Sequence, residues 1–451
     1  MTTLARRLPT IRRAVARTVA SGHTALSHPT RTFQSAITPQ LSTPDVPLPS
    51  LTTADNSLHL QWPDHTTSAH HLLWLRDNCL CPACIHPTTR QKLHSSADID
   101  PAVRPLHPPS LTAEGLKIVW DRPFLYSVAA SSTSASQLHH TSVYPLSFLR
   151  THALPARRVT ARYDDLSPTT WTGETMRRDV FWIDHDEFMD PRDSSGLYRT
   201  CRVLFHHGLV FLRGVPVVED GSATTAVAER IGPIRNTFYG RSWDVKSVPK
   251  AKNIAYTDYP PGLQFLHCLH NTVTGGASIF TDSFQAAELL RERYPDDYAT
   301  LSRVPVTFHY NNDGHHMHQR HLTFAEDSRA EGSAWRTTVN YAPPFQGPLE
   351  LDDPKEIEVF YRAFRKFTEI VEDEGGGVLV FFTSLAFGHL NAHILIISIV
   401  PLAIFANRRV LHGRTEFDPS SGHRHLKGTY VDLDAFKDRL RVLSAEHAPK
   451  G

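Results

Sequence analysis

Net charge is what this sequence has least of. Its 47 Lys and Arg are met by 46 Asp and Glu, leaving +1 over 451 residues, a balance that gives no case for nucleic acid or an anionic membrane surface as partner. Cysteine is scarce too. The five thiols are odd in number and three crowd into Cys79, Cys81 and Cys84, a spacing that points to a metal rather than to a disulfide framework. Acidic residues are absent from positions 1–44, where Arg6, Arg7, Arg12, Arg13, Arg17 and Arg31 sit among Ala, Ser, Thr and Leu. An Arg-rich, acid-free leader has the composition of a mitochondrial transit peptide, so residues 1–45 are expected to stand outside the fold.

What remains is long enough for two cores. Residues 50–155 read as a small β domain, in which WPDHTTSAHHLLWLR (62–76) echoes HHTSVYPLSFLR (139–150). From about Phe181, short runs rich in Val, Phe, Thr and Tyr are broken by Gly and Pro. Two stretches, Ser283–Arg293 and Lys355–Glu372, repeat apolar residues at helical spacing. Strands with a few helices packed outside predict a mainly β domain over residues 175–445, a double-stranded β-helix or jelly roll open at one end.

The most informative stretch is Asn407–Asp432, NRRVLHGRTEFDPSSGHRHLKGTYVD, which places His412 twelve residues ahead of Arg424 in a strand, a polar turn and a second strand. A neutral imidazole suits Fe(II), and a guanidinium pairs bidentately with a carboxylate. LHGR followed by GxRHLxGxYxD resembles the C-terminal signature of the γ-butyrobetaine and trimethyllysine dioxygenases, within the taurine dioxygenase-like Fe(II)/2-oxoglutarate oxygenases. The resemblance extends over most of the chain, through WLRDNCLCPACIHPTTRQKL (74–93), FYGRSWDVKSVPKAKNIAYT (238–257), PPGLQFLHCL (260–269) and TGGASIFTDSF (274–284), in the family's order.

The resemblance implies a site. His412 becomes the catalytic iron ligand and Arg424 the clamp on the distal carboxylate of 2-oxoglutarate. Ser278 stands where the superfamily often has a threonine that helps bind this co-substrate. A quaternary ammonium donates no hydrogen bonds, so aromatic faces must hold it; the family's cage positions fall on Tyr239, Trp243, Tyr256 and Tyr430, and Asn340 matches the residue that holds the substrate carboxylate. Cys79, Cys81 and Cys84 become ligands of a structural Zn(II). The fourth is a histidine: His140, because Ser142 and Tyr144 then fall on the family's pattern, with His139 open on spacing alone. The implied reaction is hydroxylation of γ-butyrobetaine to L-carnitine with Fe(II), 2-oxoglutarate and ascorbate as reductant, in the mitochondrion. Trimethyllysine is the alternative substrate. Partners are then a small trimethylammonium compound and, by family habit, a second copy of the chain, with neither nucleic acid nor membrane.

One thing the family needs is missing. Its first two iron ligands come as His-x-Asp between the NxAYT strand and the PPG turn, and none of the 28 histidines here is followed two residues later by Asp. NIAYT (253–257) runs through Asp258 and Tyr259 straight into PPG, leaving Asp258 as a stand-in metal ligand; His185-x-Glu187 lies too far upstream. A second departure is Val378–Phe405, uncharged throughout and read as an apolar insertion, 378–402 at its core. Its length fits a membrane span, but a span would part His412 from its barrel. Deletion and insertion together have the pattern of a skipped exon and a retained intron. Two readings of different class follow: a hydroxylase, or a non-catalytic relative that keeps the zinc module and cage as a binding surface. The His-rich FHYNNDGHHMHQRH (308–321), with His315, His316, His318 and His321, is read as a solvated loop.

Overall fold

The computed structural model describes residues 48–124, 139–162, 167–246, 260–312, 314–326, 337–373, 379–384, 396–397, 402–418 and 420–448. The leader, Tyr256, Asp258 and most of the Ser/Ala-rich segment after Trp120 lie outside these residues.

The described chain opens on two copies of one motif. β1 (Ser50–Ala54), β2 (Ser57–Gln61) and β3 (Thr67–His71) form an antiparallel meander that runs into α1 (Leu72–Asp77). β4 (Ser110–Thr112), β5 (Gly115–Trp120) and β6 (His140–Tyr144) form another that runs into α2 (Leu146–Ala153), with α3 (Pro155–Ala161) following. In the first copy the Trp62 indole donates to Ser68 Oγ at 3.0 Å; in the second, Trp120 donates to Ser142 Oγ at 2.8 Å. The short sequence echo is therefore a structural repeat. Alternation along β2 and β5 sends Leu58, Leu60, Leu116, Ile118 and Trp120 into one shared core, and both buried indole N–H groups find the partner that burial demands.

The larger part carries, in order, α4 (Gly173–Arg178), β7 (Trp182–Asp184), α5 (His185–Met189), α6 (Ser195–His207), β8 (Leu209–Arg213), α7 (Ser222–Ile231), β9 (Trp243–Lys246), β10 (Leu263–Asn271), β11 (Thr274–Gly275) and β12 (Ser278–Asp282). Then come α8 (Ser283–Arg293), α9 (Pro295–Arg303), β13 (Pro305–Asn312), β14 (His315–Leu322), β15 (Phe324–Glu326), β16 (Thr337–Val339), α10 (Pro354–Val371), β17 (Leu379–Ser384) and β18 (Ile396–Ile397). It closes with β19 (Leu402–Ala406), β20 (Val410–Arg414), β21 (Phe417–Asp418), β22 (Arg424–Val431) and α11 (Leu433–Glu446). Two sheets organise it, one ordered β7-β8-β19-β10-β22-β9 and the other β18-β17-β12-β20. Leu209, Phe211, Ala403 and Phe405 of the first meet Phe280 and Val410 of the second, closed by Trp171 and Met176. The opposite face of the first sheet, with Val210, Leu212, Leu263, Phe265 and Ile404, packs in the helical core alongside Leu204, Val227 and Phe436. Burying both faces explains the unbroken apolar run of β19.

Two sequence expectations need correction here. The apolar stretch 378–405 is not an insertion at its ends: β17 pairs with β12, and β19 lies between β8 and β10 at the middle of the large sheet. Among the described residues, no helix is long and apolar enough to cross a membrane. The His-rich stretch is not a loop but the hairpin β13–β14, with His309 opposite His318. Its second strand has no buried residue and is polar on both faces, so no period-two pattern announces it.

At the end of β12 a carboxylate and a guanidinium are buried together. Arg409 donates to both oxygens of Asp282, at 3.0 and 2.8 Å, and to the carbonyls of His206 and Thr169. Asp282 also accepts from the backbone of Trp171 and caps α8 through Phe284 N–H. Burying an ion pair is tolerated only with its remaining hydrogen-bonding capacity filled in this way. The result fixes β12 against the entry to β20, two strands that carry site residues.

Candidate active site and zinc centre

Strand register determines which side chains face the space between the sheets. On β20 and β12, His412 lies opposite Phe280 and Arg414 opposite Ser278. On the large sheet, Gln264 lies opposite both Tyr430 and Phe405. The His412 ring reaches across to Phe405, with centroids 4.7 Å apart, and its Nε2 lies 3.4 Å from Gln264 Nε2. His412 is exposed by its surface area, yet the protein packed close to its ring desolvates it and pushes its imidazole pKa down to about 4. It is thus neutral near pH 7, the form that ligates a metal.

Arg424 starts β22 and is buried, its Nε has no hydrogen-bond partner, and no carboxylate pairs with it among the described residues. Burial is the main cause holding its pKa below the usual arginine value; Cys268 opposes that shift and the neighbouring Arg414 adds to it. A buried guanidinium without an anion is costly, and this one sits near a second guanidinium whose strand neighbour is Ser278. A guanidinium in that state can accept an anion.

Of the four aromatic candidates, the structure brings two together. Trp243 and Tyr430 stack with centroids 4.2 Å apart at 29°. Gly428 lies beneath the indole, where an added Cβ would collide with it. Tyr239 lies on the preceding turn and packs on Phe238 at 4.0 Å; Tyr256 lies outside the described residues. Asn340 is buried beside β15, with its amide donating to Leu322 O at 2.7 Å and its Oδ1 unpartnered. The residue sequence reasoning missed is Gln264. Its signal was a single polar side chain within the otherwise apolar GLQFL run.

Iron is not accounted for by the described residues. His412 supplies one imidazole, its hydrogen-bond neighbour is the Gln264 amide, and the one metal-binding cluster of three or more ligands among them is elsewhere.

That cluster is Cys79, Cys81, Cys84 and His140, whose ligand atoms all lie within 4.8 Å of one another. His140 Nε2 stands 3.2, 3.6 and 3.6 Å from the three sulfurs, against the roughly 3.6 Å edge of a tetrahedral Zn site with ordinary bond lengths. His140, rather than His139, therefore closes the set. The thiolates follow α1, and His140 begins β6, so the centre staples the two repeats. Cys79 is held down to about 3, chiefly by the hydrogen bond from the Cys84 thiol, while Cys84 is pushed up because it keeps the shared proton. Four protein ligands leave no open position, the mark of a structural site.

A neutral imidazole and a buried guanidinium with no carboxylate partner among the described residues are compatible with a 2-oxoglutarate-dependent dioxygenase. Comparisons with known proteins agree. Residues 184–379 match the family model "Taurine catabolism dioxygenase TauD, TfdA family", and residues 50–126 match "Gamma-butyrobetaine hydroxylase-like, N-terminal". The chain is 35% identical to Dioxygenase str8 of Strobilurus tenacellus, over 82% of this chain and 84% of that protein. It is 32% identical to gamma-butyrobetaine dioxygenase of Pseudomonas sp. (strain AK-1), over 88% and 96%. It is 26% identical to trimethyllysine dioxygenase of Meyerozyma guilliermondii, over 87% and 95%. The chain belongs to the γ-butyrobetaine and trimethyllysine dioxygenase family.

Proposed function

We propose that the site is built for 2-oxoglutarate-dependent hydroxylation of a trimethylammonium acid, with γ-butyrobetaine to L-carnitine as its reaction. The observation that carries this is the layout of β22. Arg424 and Tyr430 occupy positions of the same parity on one strand, hence the same face, about 20 Å apart at roughly 3.3 Å per residue. A keto-diacid held at the guanidinium end and a quaternary ammonium held at the Trp243–Tyr430 end would lie head to tail, with His412 facing the same cleft. Aromatic faces attract the ammonium through their quadrupoles, and neither substrate carbon skeleton needs more than one anchor at each end to be oriented. Iron would supply the activation of dioxygen; the chain's own residues bind the two organic partners and line a cleft whose walls, Phe280, Phe405 and Leu266, keep water away. The two facing sheets support a jelly-roll description of this domain, and the acid-free leader supports a mitochondrial location.

A specific observation favours a second reading. The sequence has no His-x-Asp, and a neutral amide is the polar neighbour of His412. A protein so equipped would bind 2-oxoglutarate and the ammonium compound without turnover. The test is to incubate the purified full chain with Fe(II), ascorbate, 2-oxoglutarate and either γ-butyrobetaine or trimethyllysine, following succinate and hydroxylated product by NMR. Carnitine with matching succinate supports the hydroxylase. Calorimetric binding of 2-oxoglutarate without succinate supports the second reading, and failure to bind it at all rejects both.

A further inference from the structure

Beside the Cys₃His centre sits a cation with nothing ordinary to balance it. Arg76, in the last turn of α1, is 1% exposed. Its Nη1 donates to Cys84 Sγ at 3.7 Å, and its guanidinium carbon lies 3.7 Å from the centroid of the Phe124 ring. No carboxylate pairs with it among the described residues; Asp77, the next residue, turns instead to Lys92 at 2.7 Å and to Ser96. An aromatic face and the carbonyl end of a six-residue helix offer partial negative charge only.

A divalent metal held by three thiolates and a neutral imidazole carries one net negative charge. We propose that Arg76 is the built-in counter-ion of this centre, completing an electrically neutral unit of metal, three sulfurs, one imidazole and one guanidinium. Charge balance then works in both directions. A buried guanidinium is stable there because the loaded site is anionic, and the anionic site is stable in a dry core because the guanidinium touches one of its sulfurs. Phe124 closes the far side of the guanidinium and keeps water from screening the pair. Neutrality holds only for a dication, so Arg76 also tunes the centre toward divalent metals.

This inference rests on the zinc reading of the cluster, and the experiment separates the two. The zinc content of the purified full chain is measured first, then the rate at which zinc passes to a chromophoric chelator, in the wild type, Arg76→Gln, Arg76→Lys and Phe124→Leu. Loss of a partner to a metal ligand typically costs about 10–100-fold in metal affinity. Arg76→Gln is expected to release zinc faster by that order, with Arg76→Lys recovering most of the difference. In the cobalt-substituted protein the thiolate-to-cobalt charge-transfer band should move in the Gln variant and return in the Lys variant, which a packing role alone would not produce. A wild type without zinc rejects the metal reading itself. A zinc-loaded wild type whose release rate and cobalt band are unchanged in Arg76→Gln rejects the counter-ion; Phe124→Leu, which keeps the guanidinium but admits water to it, should fall between the wild type and Arg76→Gln. If Arg76→Gln does not fold, Arg76→Lys decides: retained zinc upholds the proposal, and loss of zinc overturns it.

Discussion

Gln264 and His412 meet across the two sheets, Nε2 to Nε2 at 3.4 Å, while Gln264 Oε1 is buried without a partner. A half-turn of the amide would let that oxygen accept from the imidazole, since amide orientation follows from the network. Either way, the polar neighbour of His412 is neutral, and desolvation keeps the imidazole pKa near 4. Gln264→Glu places a carboxylate beside the ring and stabilises its charged form. NMR titration of His412 should show a pKa clearly above the wild-type value, and coincident titration curves would remove Gln264 from contact with His412.

Arg424 carries the anion-binding reading, and its own burial provides the test. Without an anion the guanidinium is a liability, so Arg424→Met should unfold at a temperature no lower than the ligand-free wild type. With 2-oxoglutarate at about 100 times its dissociation constant, binding stabilises the wild type by about 2.7 kcal/mol. The variant should gain nothing. Thermal unfolding with and without 2-oxoglutarate checks both halves, and an equal gain in the two proteins would place the co-substrate elsewhere.

The stacked pair Trp243–Tyr430 predicts selectivity for a quaternary ammonium. Trp243→Leu should weaken γ-butyrobetaine binding by about 2 kcal/mol, roughly 30-fold, as expected for a desolvated cation on an indole face. Gly428→Ala should weaken it as well without touching the ligand, because the new methyl group displaces the indole. Calorimetric titration against γ-butyrobetaine and an uncharged isostere reads the effect. Equal losses for the two ligands would mean that the pair is packing and not a cage.

How much of this was legible in the chain differs by residue. His412 and Arg424 stood out because each is a chemically demanding side chain on a recognisable strand, β20 and β22. Nothing local shows that those strands enter different sheets, so the His412 to Gln264 contact, 148 residues apart, could not be read. Cys79, Cys81 and Cys84 announced a metal by proximity; the family's pattern singled out His140 with His139 open on spacing, and β6 decides between them by delivering the Nε2 of His140. The echo between 62–76 and 139–150 was visible as a few shared letters; its meaning lies in two indole-to-serine hydrogen bonds, Trp62 to Ser68 and Trp120 to Ser142, that pair residues 6 and 22 positions apart. β19 was misread because a strand covered on both faces loses the alternation that identifies strands.

Acid should destabilise this protein through a histidine remote from the cleft. His267 is fully buried in β10, its Nδ1 is 3.1 Å from Thr224 Oγ1, and its Nε2 has no partner. Burial first, and His185 second, push its pKa down to about 4, against about 6.5 in an unfolded chain. The folded state therefore binds the proton less readily than the unfolded one. Stability from this site is fully present above pH 6.5 and is lost as the pH falls through the window toward 4, about 2 kcal/mol of it by pH 5. His267→Gln retains a hydrogen bond to Thr224 and cannot titrate. Denaturant unfolding at pH 7.5 and pH 5 should show the variant losing about 2 kcal/mol less than the wild type between the two conditions. Parallel losses would assign the acid sensitivity to other groups, with His70, also buried and held near 4 by desolvation, the next to replace.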